Sequence, residues 1–145
     1  MSIKEEVKLN CTLPFTGFID PYSIKEVISS KTFQNGQWQT LTKLKNFPDG
    51  VNKSVFPFDL TSFKILVLTQ VKGENHIKPH KHDEPQFRYI ISGSFKLNGE
   101  SYSSGDWVIV PQNHEYEIFT ETGYTAITPY GMKCGNDNDD DDDDI

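Results

Sequence analysis

Arginine is almost missing from this sequence: Arg88 stands alone against thirteen lysines. Cysteine is scarce too, with only Cys11 and Cys134, far apart in the chain. A small secreted domain held by disulfides usually carries four or more. The pair is therefore read as two free thiols in a reducing, cytoplasmic setting, and their spacing excludes a two-cysteine zinc clip. No apolar run approaches the roughly 18 residues needed to cross a bilayer, and no apolar stretch follows a basic N-terminus. The chain is accordingly expected to be soluble and unprocessed, with no membrane partner.

Basic excess is also missing. The net charge is −7, from 14 Lys+Arg against 21 Asp+Glu. Seven of those acids are Asp137 and Asp139 to Asp144, so the rest of the chain is neutral. Nothing remains to grip a phosphate backbone, which argues against nucleic-acid binding. The segment from Gly135 to Ile145 has nothing to bury and repels itself, so it is expected to be a disordered acidic tail.

Helix signals are few. Only Ser23 to Ser30, after Asp20-Pro21, combines a start signal with helical spacing, at Ile24, Val27 and Ile28. From Trp38 onward the pattern is short β-rich runs cut by turn formers. Phe63 to Val71 is apolar on both faces, as in a strand covered on both sides. Phe87 to Ile91 stops at Ser92-Gly93. Ser94 to Leu97 and Glu100 to Ser103 flank Asn98-Gly99, the strongest short hairpin signal. Trp107 to Val110 follows. Glu115 to Phe119 places Tyr116 and Ile118 inward, and Tyr124 to Thr128 closes the set. Short strands at regular spacing predict an all-β antiparallel sandwich or barrel. The expected organisation is an N-terminal arm with a short helix over 1–36, a barrel over 37–134 and the acidic tail over 135–145. The arm would cover an open sheet edge, in its own subunit or a partner's.

Chemistry concentrates in GENHIKPHKHDEPQF, where His76, His80 and His82 fall within seven residues. His80 and His82 share strand parity, so both imidazoles leave one face and can meet at one divalent cation. His76 has the same parity, but Pro79 interrupts the strand, which leaves it a supporting place at the rim. Arg88 follows Gln86 by two and points the same way. Its planar fork suits a carboxylate, phosphate or enolate, and equally a buried structural carboxylate. Phe95, Trp107, Tyr116, Phe119 and Tyr124 are read as mostly core.

Gly73, His80, His82, Gln86 and Gly93, followed by Gly105, Pro111 and Asn113, resemble the two motifs of the cupins. The first motif is His-x-His, a glutamate three or four residues on, and a glycine six after that. The second has a glycine, a proline, a glycine and a final histidine. The likeness covers about Phe63 to Thr128. Gln86 stands in the glutamate's place and Asn113 in a glycine's. Tyr116 replaces the last histidine, with His114 two residues before it.

The resemblance implies an antiparallel double-stranded β-helix, the cupin or jelly-roll barrel. It also implies one divalent ion (iron, zinc, manganese or nickel) on His80, His82 and Gln86, with His114 or Tyr116 as the fourth ligand. The function implied is a metal-dependent enzyme acting on a small oxygenated acid, enol or ketone, either an oxygenase or a Lewis-acid isomerase, lyase or cyclase. Arg88 would meet an anionic group of that substrate, and whichever of Tyr116 and His114 is not a ligand would move protons. Two other readings stand beside it: a non-catalytic module binding a small molecule or metal, and a metal-independent sugar-nucleotide isomerase using His80 and His82 as acid and base. Small cupins also pair sheet edges, which implies a homodimer.

Overall fold

The structure, a computed structural model, describes residues 17–131. Both cysteines and the acidic tail lie outside them. Eight strands form the fold: β1 (Ile28–Ser29), β2 (Ile65–Val71), β3 (Asn75–His80), β4 (Gln86–Leu97), β5 (Glu100–Ser103), β6 (Trp107–Val110), β7 (Tyr116–Thr120) and β8 (Tyr124–Tyr130). Every ladder is antiparallel. The all-β barrel expectation holds, and the architecture is the cupin-type double-stranded β-helix.

β4 is the spine. Its first half pairs with β6 and β8, and its second half with β5 and β7. The two runs expected on either side of Ser92-Gly93 are thus one twelve-residue strand, bent by a register shift between Ile90 and Ser92. Gly93 permits the bend. Its φ is +83°, and a side chain there would collide with the carbonyl of Gly123, in the turn just before β8. Asn98 and Gly99 both take positive φ, as the tight hairpin between β4 and β5 requires.

Two cores lie on opposite faces of this framework. Inside the barrel, Ile77, Ile90, Phe95, Leu97, Val108, Val110, Ile118 and Ala126 pack together. Each fully buried aliphatic side chain contributes roughly 1.5–3 kcal/mol relative to exposure. Outside the barrel, Phe87, Trp107 and Ile109 turn the other way and meet Trp38 and Phe58 of the leading segment. Trp107 is the hub, edge-on to Trp38 and Phe58 at 5.6 and 5.4 Å between ring centroids.

The leading segment therefore covers a sheet face as well as an edge. It adds β1 beside β6, with Ile28 opposite Ile109. The helix expected over Ser23 to Ser30 does not form. Pro21–Ser23 is a single 3-10 turn capped by Asp20, and Ile28–Ser29 is strand. Local spacing loses here because Ile24 and Ile28 bury more by lying flat against the outer core. The short helix is instead α1 (Trp38–Leu41). Residues 42–64 are mostly irregular, with isolated bridges at Lys43–Ser54 and Ile19–Phe58.

β2 departs from expectation. Among the described residues it pairs only with β8, and its outer face is bare, with Leu66 and Leu68 70% and 60% exposed. Its continuous apolar pattern had predicted cover on both sides.

Candidate metal centre

The motif residues gather at one end of the barrel, where β3 ends, β4 and β7 begin and β6 ends. His80 sits opposite Tyr116, and Gln86 opposite Val110. A bulge in β3 sets this up. Between Ile77 and His80 the strand gains one residue over β7, so residues on either side of Pro79 no longer share a simple parity. His76 accordingly faces solvent, with Nε2 2.9 Å from Glu117 Oε1 and its ring against Phe119. The supporting role at the rim expected of His76 is corrected to a surface contact. Ile77 and His80 take the inner positions.

His82 reaches the same place by another route. β3 ends at His80, and His82 lies in the following loop, its carbonyl accepting from the backbone N–H of Asn113 at 2.6 Å. Asn113 takes the left-handed conformation, φ +59°, as a residue in a glycine's place must. The shared strand parity read from the sequence is thus replaced by a loop held to the β6–β7 turn. The imidazoles of His80 and His82 lie edge to face at 4.8 Å, and Tyr116 packs on both at 4.8 and 6.0 Å. His114 lies half-buried in the turn before β7 and makes no ring contact with them among the described residues.

The tautomer of His80 follows from its neighbour. Its Nδ1 lies 2.8 Å from the carbonyl oxygen of Lys78, which can only accept, so Nδ1 carries the hydrogen. The lone pair is then on Nε2, and the Nε2 atoms of both imidazoles are buried. A backbone carbonyl orienting an imidazole in this way is the usual support of a metal ligand. Gln86 is buried on the inner face of β4, its amide N–H directed at the Glu84 carbonyl at a long 3.5 Å.

Arg88 lies deeper, 1% exposed on the same face. Its Nη2 donates to the Tyr116 hydroxyl at 2.9 Å, and its guanidinium stands 5.2 Å from that ring's centre. Burial opposes its charge, but the phenol oxygens of Tyr116, Tyr124 and Tyr130 outweigh that, so its pKa lies above the ordinary arginine value. Burial also raises Tyr124, with Arg88 opposing the rise.

Two residues were not singled out from the sequence as part of this region. Glu84 is buried and accepts from the backbone N–H of Gly131 at 3.3 Å. Its even spacing with Gln86 and Arg88 was the available signal. Tyr130 bears on Arg88 from the last position of β8, beyond the run read as a strand.

Among the described residues no three His, Cys, Asp or Glu side chains form a metal-binding group. The other two residues expected in the set are an amide, Gln86, buried on the inner face of β4, and a phenol, Tyr116, whose ring packs on both imidazoles. Two buried imidazole nitrogens, one with a fixed tautomer, beside further oxygen donors fit a borderline divalent ion. The set brings no charge of its own unless the phenol ionises.

A spine strand shared by two antiparallel sheets, with the His-x-His motif at the barrel mouth, defines a cupin. Residues 34–132 match the family described as the ChrR cupin-like domain. The chain belongs to that family. A search of the curated proteins finds no match. Among solved structures, the complex of Rhodobacter sphaeroides SigE with the anti-sigma ChrR aligns at 18% identity and TM-score 0.42. That alignment covers 45% of this chain and 37% of that one. A cupin-2 domain protein from Shewanella frigidimarina aligns at 13% identity and TM-score 0.44, over 50% of this chain and 74% of that one. KdgF from Halomonas sp. aligns at 18% and 0.39, over 59% and 84%. No helix among the described residues is long and apolar enough to cross a membrane.

Proposed function

We propose that this chain is a small metal-dependent cupin enzyme acting on a small oxygenated organic molecule at the barrel mouth. The observation that carries the reading is the packing of His80, His82 and Tyr116 together, with the His80 lone pair directed to the buried Nε2. His80, His82 and Gln86 would hold the ion, and Tyr116 is better placed than His114 to complete the set. Bound there, a divalent ion supplies Lewis-acid polarisation or, if it is redox-active, access to oxygen chemistry. Tyr116, joined to Arg88 by a hydrogen bond, can instead hold or return a proton at its phenol oxygen. Arg88 presents a permanent positive charge inside the barrel, suited to a carboxylate or enolate. The inner wall of Val110, Ile118 and Ile90 excludes water behind it.

The experiment compares metal content after purification for the wild type and His80→Ala/His82→Ala. Metal in the first and not the second supports the reading. Equal, near-zero metal in both, with no rise in thermal stability on adding iron, zinc, manganese or nickel, overturns it. Bound metal without turnover of any carboxylate, enol or ketone substrate, aerobically or anaerobically, leaves a binding module in place of an enzyme.

A further inference from the structure

The two outer faces of the barrel differ in chemistry. The leading segment packs on the apolar one, around Trp107 and Phe87. The other, formed by β3, β7, β5 and the second half of β4, turns a mostly polar surface to solvent. Register aligns one row across its four strands: His76 opposite Phe119, Phe119 opposite Lys96, and Lys96 opposite Ser101. Phe119 sits within that row, 45% exposed, with the His76 imidazole edge to face at 6.5 Å. The contact of His76 with Glu117 holds the imidazole beside the phenyl ring. Next to that ring, on the β5 side, lies a cleft of about 190 Å³. Phe119, Lys96, Glu121 and the hydroxyls of Ser94, Ser101 and Ser103 line it, and Lys31 reaches it from the leading segment.

We propose that this cleft binds one pyranose unit of a neutral carbohydrate, with the sugar's C–H face on the Phe119 ring. Charge selects a neutral ligand. Lys31 is already engaged, its Nζ donating to the Ser101 carbonyl at 2.7 Å and standing 5.7 Å from the centre of the Tyr102 ring. Lys96 and Glu121 then balance, so the cleft favours neither an anion nor a cation. Hydrogen-bonding capacity selects hydroxyl groups. Serine hydroxyls both donate and accept, Lys96 donates and Glu121 accepts, as a ring of sugar hydroxyls requires. The exposed phenyl face carries negative quadrupole charge, which suits C–H groups polarised by neighbouring oxygens. A nucleobase would also stack, but its phosphates need a basic excess that this chain lacks. The cleft is smaller than the ~300–1,000 Å³ of drug-sized sites, which limits it to a single sugar unit. The dissociation constant is expected on the order of millimolar. The cleft lies on the outside of the barrel and does not depend on the metal reading of its mouth.

Saturation-transfer NMR on the full chain, with chelator present so that no ion contributes, tests this. The probes are the methyl glycosides of glucose, galactose and mannose, titrated to about 20 mM, with adenosine as the competing stacking ligand. At least one glycoside should receive saturation at its ring protons. Phe119→Leu, which keeps an apolar side chain at an exposed position, should retain the wild-type melting curve and weaken binding at least ~10-fold. Phe119→Trp should bind at least as tightly as the wild type. His80→Ala/His82→Ala should bind the glycoside unchanged. No transfer to any glycoside overturns the proposal, as does a signal indifferent to Phe119→Leu. A signal lost in the histidine variant and kept in Phe119→Leu places the sugar at the barrel mouth and overturns it too. Transfer to adenosine alone overturns the ligand class.

Discussion

Tyr116→Phe separates the two roles that the phenol plays. The substitution keeps the ring against His80 and His82 and leaves no cavity, so it removes only the hydroxyl. That oxygen accepts from Arg88 Nη2 at 2.9 Å in a buried setting. Hydrogen bonds to charged groups contribute about 1.5–3 kcal/mol, and the metal-free protein should lose that much. At roughly 4 °C per kcal/mol for a chain of this size, the melting point should fall about 6–12 °C. If the phenol also completes the metal site, affinity for the ion should drop about 10–100-fold. At a concentration 100 times the wild-type Kd, the ion should stabilise the wild type by about 2.7 kcal/mol and the variant by only about 0.4–1.4 kcal/mol. Urea unfolding of both proteins and of His114→Ala, with chelator and with added zinc or manganese, reads the two effects separately. A metal-free loss below about 0.5 kcal/mol would refute the Arg88 hydrogen bond as a stabilising contact. A larger loss of metal stabilisation in His114→Ala than in Tyr116→Phe would refute Tyr116 as the fourth ligand.

Other outcomes follow from the same geometry. Gly93→Ala places a side chain against the Gly123 carbonyl at φ +83°, and should cost more than about 2 kcal/mol in urea unfolding. Phe58→Ala empties a position in the outer core beside Trp107 and Phe87. It should cost about 3–5 kcal/mol and change the tryptophan fluorescence. Burial holds the folded-state pKa of Tyr102 and Tyr124 above the ordinary phenol value. The unfolded chain releases those protons first, near pH ~10, so stability should be full below that pH and decline as pH rises above it. Tyr124→Phe should flatten that alkaline decline, and an unchanged slope would show that Tyr124 does not carry it.

Sequence alone determined the succession of short strands from Ser94 to Thr128, the hairpin at Asn98-Gly99 and the inward face of β7, because alternation and turn residues are local signals. It also determined that Arg88 and Gln86 share the inner face of β4, since two residues on one regular strand must. Three matters were decided only by the tertiary structure. Ser23 to Ser30 became a turn and a strand because a sheet face offered its isoleucines more burial than a helix could. His76 turns to solvent while His80, the expected ligand, faces inward because a one-residue bulge between Ile77 and His80 resets which side chains share a face. His82 joined from a loop because the β6–β7 turn holds its carbonyl. The scarcity of arginine was plain from the start, but only the folded chain shows its one guanidinium buried among tyrosines. Parity carries no information across a bulge or a loop, and contact between distant turns is written in no local pattern.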